Sequence, residues 1–524
     1  MKSNFTTFVI LALVVCGSLV AQTTGDYRSN GSGNWGDNTK WETYVGSAWV
    51  GAVSAPTGTG TITLRGTDSL FMNVAVTITG TLVSDSGEVG NSETTMTFAP
   101  GSMFLLPINN GTIPLATWDS GSTCKITGYV SGSKPANANQ NFYNLTWDCP
   151  NQSANVDLSM SGNTIGGDVT IDTTGLGRMY LTSPAGFSAP ITIHGNIYMR
   201  RGQFSSNGSS SADTIIIHTM GDIIVTGGNF SLSRGSGTDV HWYHHGEFSV
   251  SDATLQNSGG STKTQRMIFA GSGTQNITLS NVTYGTGTSH FNMRVQNGST
   301  VNLGQTVISS SNTGSFIVES GATIETAQPG GFEGNIQSTG ANGGGNSLST
   351  GANYTFNGSS AQVTGTLMPD TVHSLTLNNT SGVTLSRATV INDTLHLVAG
   401  EFDNTIPFTL GANGYVSFEG GSVKVPLGIG EDGEILPAAF SLQQNYPNPF
   451  NPTTNIQFQI SDLGFVSLKV FNALGMEVAT IVNKTMFPGA YTVQWDATGN
   501  PSGMYMVKLT SGSQVLTKSM ILAK

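Results

Sequence analysis

Charge is scarce in this chain. Its 524 residues carry only 20 Lys and Arg and 31 Asp and Glu, so 10% are charged against a usual ~25%. The formal net charge of -11 and the lack of a basic stripe argue against a nucleic-acid partner, because phosphate is repelled. Disorder of the acidic kind also needs few apolar residues, and here 37% are apolar. No G-X-Y period runs through the 68 glycines, which excludes collagen. Helical periodicity is almost absent. HExxH, GxSxG, Walker A, EF-hand and Rossmann patterns are all missing, which removes the commonest zinc, esterase, nucleotide and calcium chemistries. Cysteine is rare too. Of Cys16, Cys124 and Cys149, none has a CxxC neighbour, so thiolate metal ligation and redox work are not expected, nor is a disulfide scaffold.

Long apolar runs are missing as well, with one short exception. Residues 1–21 read as a secretory signal peptide: Lys2 gives the positive start, Phe8 to Val15 is the apolar run, and Ala21 precedes cleavage. Cys16 raises a lipoprotein alternative, but Val15 stands where such sites carry a small residue. No later stretch approaches the ~20 residues of a membrane helix, so the mature chain is expected to have no transmembrane segment. Cys124 and Cys149 then form the candidate disulfide of an exported protein.

What the sequence has in abundance is short alternation of apolar and polar residues, punctuated by Gly, Asn, Ser and Thr. Examples are Thr61-Ile62-Thr63-Leu64, Ile191-Thr192-Ile193 and Ser374-Leu375-Thr376-Leu377. Period-2 patterning with β-branched residues predicts strands. The strands recur. Gly195-Asn196-Ile197-Tyr198-Met199 with Gly202-Gln203-Phe204 returns as Gly221-Asp222-Ile223-Ile224-Val225 with Gly228-Asn229-Phe230. It returns again as Asp393-Thr394-Leu395-His396-Leu397 with Gly400-Glu401-Phe402. A unit of about 26 residues cannot bury its apolar face alone, whereas stacked copies can. The fold class expected is therefore all-β: a right-handed parallel β-helix, or solenoid, of about 15 rungs and order 70 Å. A series of β-sandwiches is the competing architecture. Asn at equivalent corners is expected to stack into hydrogen-bonded ladders.

The body is placed at 22–427. Its Trp-rich start, Asn34-Trp35-Gly36-Asp37 to Trp41 with Trp49, reads as a cap over the open edge. That segment resembles the opening of exported bacterial β-solenoid surface proteins. Residues 329–353 read as a protruding loop or a weakened rung, and 428–439 as a linker.

From Phe440 the composition changes. Pro447, Pro449 and Pro452 fall within six residues and predict a rigid extended lead. Strands are expected near 465–472, 476–482, 490–495, 503–510 and 513–522, giving a small Ig-like antiparallel β-sandwich over 440–524. Trp495, Tyr491, Tyr505 and Phe471 are its expected core aromatics.

This segment resembles the type A C-terminal sorting domain of the type IX secretion system of Bacteroidetes and related bacteria. The residues that carry the resemblance are Tyr446, Pro447, Asn448, Pro449, Phe450, Asn451 and Pro452, then Gly475, Gly489, Trp495, Gly503, Tyr505 and Lys518. The ending Ala523-Lys524 departs from the Val or Arg variants usual there. The resemblance implies partnership with the type IX machinery and a sortase-like protease that removes the domain. It also implies a location outside the cell or on the outer-membrane surface.

Chemistry in the body has few candidates. On a strand, Asp239, His241, Tyr243 and His245 share one face, and Asp239, His241 and His245 are the candidate metal ligands. A polar outer rung face, with Trp242 and His244 pointing inward, is the simpler reading. Glycoside hydrolysis wants two carboxylates about 5–9.5 Å apart. Asp168, Asp222 and Asp393 share a rung-start register, but a corner Asp accepting a backbone N–H explains them equally. Arg200-Arg201 is the one basic pair in sequence. The expectation is a non-catalytic adhesin or structural β-solenoid that binds glycans or extracellular matrix without a cofactor. The alternative is a pectin-lyase-like polysaccharide lyase or glycoside hydrolase.

Overall fold

The structure is a computed structural model. It describes residues 22–524 apart from 91–95, 184, 209–212, 236–237, 258–264, 286–289, 309–313, 339–344, 413, 426–427, 430–434, 437–439, 461–463 and 487–488. The signal segment 1–21 and most of the 428–439 linker thus lie outside the described residues. Two compact units divide the chain, one ending at Arg178 and one beginning at Met179.

In the first unit the alternation seen in sequence becomes coils of parallel strands. Thr61–Arg65, Thr81–Asp85, Met103–Leu106, Thr123–Ile126, Asn144–Asp148 and Val169–Thr173 pair successively in parallel. Their inward residues form one column, Leu82, Phe104, Cys124, Leu145 and Val169, each opposite the next and almost fully buried. The outward slots hold mainly polar residues, among them Thr63, Thr81, Thr123, Lys125, Thr146 and Thr170. Aromatics stack by the same register: Phe98 and Trp118 are partners in a second sheet, with rings 4.2 Å apart and 6° from parallel.

The first rung does not end in an open edge. Tyr27–Ser29 pairs in parallel with Thr61–Arg65 and antiparallel with Trp41–Val45, which hairpins onto Ala48–Gly51. Trp35 and Trp41 are buried edge to face at 4.8 Å. The Trp41 Nε1–H donates to the Trp35 carbonyl (2.8 Å) and the Trp35 Nε1–H to that of Pro56 (3.1 Å). The Arg28 guanidinium lies over the Trp49 ring. These rings therefore pack or hold a cation within the chain, as an end cap should.

The candidate disulfide is not formed: Cys124 and Cys149 are separate buried thiols. Cys124 lies opposite Leu145, and Cys149 is four residues further along. At ~3.3 Å per residue that offset is ~13 Å, beyond the ~7 Å Cα separation a disulfide tolerates. The Cys149 thiol donates instead to the Ile126 carbonyl (3.5 Å), and burial pushes its pKa up to about 12.

In the second unit each coil has three sides. Ile197–Met199, Gln203–Asn207 and Thr214–Thr219 are followed by Ile223–Val225, which pairs back onto Ile197–Met199 in parallel. The next coils add Gly228–Ser231, Asp239–His244 and Phe248–Ser251 to the same three sheets. Ile197, Ile223, Phe248 and Ile277 form the inward column. Each such side chain contributes ~1.5–3 kcal/mol through burial, but only because a neighbouring coil covers it.

The coil length is less constant than the sequence predicts. Register partners Ile197 and Ile223 are 26 residues apart, yet Ile62 and Leu82 are 20 apart and Leu375 and Leu395 also 20. Ile324 and Tyr354 are 30 apart. Stacking constrains the strands and leaves the corners free in length. Residues 329–353 follow from this: they are neither wholly loop nor wholly rung. Phe332–Asn335 is one helical turn whose Phe332 is buried against Tyr354 and Phe356. Ser347–Leu348 then rejoins the third sheet.

The strands of the C-terminal module pair antiparallel, with one parallel bridge between Phe450 and Leu522. Ser441–Leu442, Thr453–Ile460 and Gly489–Asp496 form one sheet. Glu477–Met486, Gly464–Asn472, Gly503–Ser511 and Gln514–Leu522 form the other. Their shared core includes Ile456, Phe458, Val466, Leu468, Trp495 and Tyr505. Phe471 departs from expectation. It falls on the outward side of its strand, half-buried opposite Met506, because Val466, Leu468 and Val470 hold the inward slots.

Replacing an inward residue should cost far more than replacing its outward neighbour. Ile223→Ala is expected to lose about 2–5 kcal/mol and lower the denaturation midpoint. Ile224→Thr, half-exposed beside it, should change stability by less than ~0.5 kcal/mol.

Candidate functional site

Three regions carry the polar groups that sequence reasoning singled out. The first is the proline-rich lead of the C-terminal module. It is bent rather than extended, with Tyr446–Pro447, Asn448–Pro449 and Asn451–Pro452 all cis. Its side chains stitch it to the strands around it. The Asn445 Nδ2–H donates to the Pro447 carbonyl (3.0 Å) and to Thr454 Oγ1 (2.9 Å). The Asn448 Oδ1 accepts from the Ile521 N–H (2.9 Å). Phe450 N–H donates to the Ile521 carbonyl and Ala523 N–H to that of Phe450, both 3.0 Å. The lead is thereby tied to the last strand of the chain.

The motif residues separate into two groups. Phe450, Trp495 and Tyr505 pack in series, Phe450 to Trp495 at 5.4 Å and Trp495 to Tyr505 at 5.2 Å. The Tyr505 hydroxyl donates to the Pro501 carbonyl (2.8 Å). Gly475, with φ +78°, makes a turn in which Asn472 Oδ1 accepts from the Leu474 and Met476 N–H groups. Tyr446, by contrast, is 81% exposed, and Lys518 also faces solvent. One group builds the fold and the other presents itself.

The second region is the rung-start corner of the second unit, where a ladder runs over five coils. Asn196 Oδ1 accepts from the Asp222 N–H (2.7 Å), and Asp222 Oδ1 from the Glu247 N–H (2.8 Å). Glu247 Oε1 accepts from Asn276 Nδ2 (2.7 Å), and Asn276 Oδ1 from Asn302 Nδ2 (3.0 Å). Asp222 is thus engaged as a corner acceptor. Asp393 Oδ2 accepts from the hydroxyls of Ser374 and Thr394. The Asp168 N–H donates to Asn144 Oδ1 (2.8 Å). A cleft of about 450 Å³ opens beside the ladder, lined among others by Glu247, Asn276, Asn302, Gln305 and Thr306. Glu247 is the single carboxylate in that lining.

The third region is the outward face of the third sheet. Asp239, His241 and Tyr243 do share it, half-buried, while Val240, Trp242 and His244 point inward. The candidate ligands Asp239, His241 and His245 are not brought together. The His245 ring lies 6.3 Å from that of His218, whereas His241 is opposite Arg266. No group of three His, Cys, Asp or Glu able to hold a metal converges among the described residues. Burial holds the His241 pKa below its ordinary value, Asp239 opposes this, and Arg266 and Arg294 reinforce it. Burial lowers His218 and His245 as well, His245 also depressing His218. His244 goes furthest, to about 4. It is enclosed by the core, and its Nε2 meets the Glu247 carbonyl at 3.0 Å.

Arg266 and Arg294 escape sequence reasoning because they stand 28 positions apart and in no motif. The usable signal was the rung register itself: Met267 and Met293 are partners, so the flanking arginines fall on one face of adjacent coils.

Residues 444–523 match the model of the secretion system C-terminal sorting domain. No curated protein and no solved structure matches the chain. The sorting tail implies export by the type IX system to the cell surface or extracellular space, with the secretion machinery as its partner. Among the described residues no helix is long and apolar enough to cross a membrane.

Two outcomes are expected. Phe450→Ala should lower the stability of the module by about 3–5 kcal/mol. Tyr446→Ala should leave its melting unchanged to within ~0.5 kcal/mol while reducing export, if the exposed ring is read by the machinery. Calorimetry and surface fractionation separate the two. His244 predicts a pH effect. Its folded pKa of about 4 lies below the unfolded ~6.5, so unfolding takes up a proton between these values. Stability is full above pH ~6.5 and falls, by on the order of 3 kcal/mol, as pH drops towards ~4. His244→Gln should shrink that slope. His218, His241 and His245, shifted in the same direction, keep it from vanishing.

Proposed function

We propose that this chain is an exported, non-catalytic β-solenoid surface protein. A signal peptide at 1–21 takes it through the inner membrane. The body at 22–427 acts as an adhesive or structural element outside the cell. The module at 440–524, beyond a linker at 428–439, is the address read by the secretion machinery and is then removed by a sortase-like protease. The observation that carries the non-catalytic reading is the corner ladder. Asp222 and Glu247 are register neighbours on adjacent coils, yet both carboxylates accept hydrogen bonds from the ladder. The adjoining cleft offers a single carboxylate, Glu247, where hydrolysis uses a facing pair. The outward Thr, Ser and Asn rows suit repeated hydrogen bonding to glycans or matrix.

Deleting residues 440–524 in a host with the type IX machine should leave the protein in the periplasm. Undiminished surface delivery of the truncated chain would refute the sorting role. Incubating the mature protein with a glycan panel should release neither reducing sugar nor unsaturated product. Either product would instead establish the lyase or hydrolase alternative.

A further inference from the structure

The third sheet of the second unit places cations where the rest of the chain has few. His241 is opposite Arg266 on the next coil. Arg294 is one coil further, opposite Ile268, and on the same face as Arg266 by the period-2 rule. Burial, and after it the like charge of Arg294, press the Arg266 pKa below its ordinary value. Two acids flank the pair. Glu319 is occupied, meeting Arg294 Nε at 2.5 Å and accepting from the Asn297 N–H at 3.0 Å. Asp239 sits beyond His241 on the same strand and acts on Arg266 only through space. Among the described residues, the Arg266 guanidinium forms no hydrogen bond or ion pair. A half-buried guanidinium without a partner, held beside a second one, costs free energy that an external anion would recover.

The surroundings narrow the anion. Ile268 stands on this outward face between Tyr243 and Arg294 but is only 4% exposed, so its neighbours cover it and a ligand meets the polar side chains around it. The Tyr243 ring is stacked on His218 at 5.1 Å and 12°. Its face is therefore taken, and its hydroxyl edge is what remains for a ligand. The site combines a hydroxyl with two cations on adjacent coils; Met267 and Met293 are the register partners, so Arg266 and Arg294 are diagonal, ~8 Å apart at their Cα atoms. A dense polyphosphate would meet a chain of net charge -11 and the flanking Asp239 and Glu319. A glycan with one charge per sugar meets the same field with fewer charges and is repelled less.

We propose that His241, Tyr243, Arg266 and Arg294 form a binding site for the anionic group of an acidic glycan, a uronate carboxylate or a sulfate ester. Arg266 supplies the open bidentate fork, Arg294 the second charge, and Tyr243 a hydrogen bond to a sugar hydroxyl. The site deepens the adhesive reading and rests on it only for the absence of turnover.

The test titrates the chain from residue 22 to 524, C-terminal module included, with three oligosaccharides of equal length in a calorimeter: polygalacturonate, chondroitin sulfate and neutral dextran. At least one acidic ligand should bind, more weakly in high salt, and dextran should not. Arg266→Gln should weaken that binding about ten- to hundredfold. Arg294→Gln should weaken it less, and Arg266→Lys should retain part of it because charge survives without the fork. All three variants should melt like the parent, and Lys469→Gln in the C-terminal module should bind normally. Binding of polygalacturonate alone assigns a carboxylate on a uronate chain, of chondroitin sulfate alone a site that requires the sulfate ester beside its glucuronate, and of both a site that reads charge. Failure of both acidic ligands, equal binding of dextran, or unaltered affinity in Arg266→Gln and Arg294→Gln overturns the proposal. Product release from a bound glycan would refute the non-catalytic reading and leave this site standing. Absence of binding with no turnover does the reverse.

Discussion

In-register parallel stacking is the constraint from which the body is built. Each coil is too short to enclose its own aliphatic side chains, so Ile223 is buried only because Ile197 and Phe248 lie on either side of it. Parallel pairing puts equivalent positions next to one another, and the pleat sends alternate residues to opposite faces. A slip of one residue would turn every Ile outward and every Thr inward. The register is therefore strongly held along the strands, while the corners, which bury little, range from 20-residue to 30-residue coils.

The same geometry governs polar groups. At the corner it aligns Asn196, Asp222, Glu247, Asn276 and Asn302 so that each satisfies a donor of the next. Corner backbone and amide groups, exposed or half-buried, are matched in this way. On the outer face of the third sheet, register aligns groups that repel. His241, Arg266 and Arg294 share a neighbourhood because their strands must pair, whatever their charges. The ladder and the cationic face are two results of one rule, the first self-satisfied and the second open to a ligand.

The C-terminal module follows another rule. Its strands pair antiparallel, and each of its sheets joins strands distant in sequence, Thr453–Ile460 with Gly489–Asp496 and Gly464–Asn472 with Gly503–Ser511. Its proline-rich lead is held by side-chain and backbone hydrogen bonds to the final strand. Motif residues that look alike in sequence consequently divide by burial: Phe450 and Trp495 hold the two sheets together, and Tyr446 stands exposed. A conformation built by pairing both ends of the module suits a signal that must be presented as a folded surface.

Much of this was legible from residue order. Thr61-Ile62-Thr63-Leu64 and its relatives declare strands and their inward faces, because alternation is a local property. Gly221-Asp222-Ile223 repeating Gly195-Asn196-Ile197 declares stacking, and the proline motif with Trp495 and Tyr505 declares the terminal module. Other features were not legible, because they depend on distance across coils. Cys124 and Cys149 look like a pair until strand register sets them ~13 Å apart. Phe332 looks like loop until it packs on Tyr354 and Phe356. The sequence alone determined which side of the strongly alternating strands faces the core, since hydrophobic alternation needs no partner to be read; where apolar residues occupy both sides, as Val470 and Phe471 do, it did not. Only the tertiary structure decided which residue of one coil lies beside which residue of the next. That choice depends on corner lengths, and it brought Arg266 to His241.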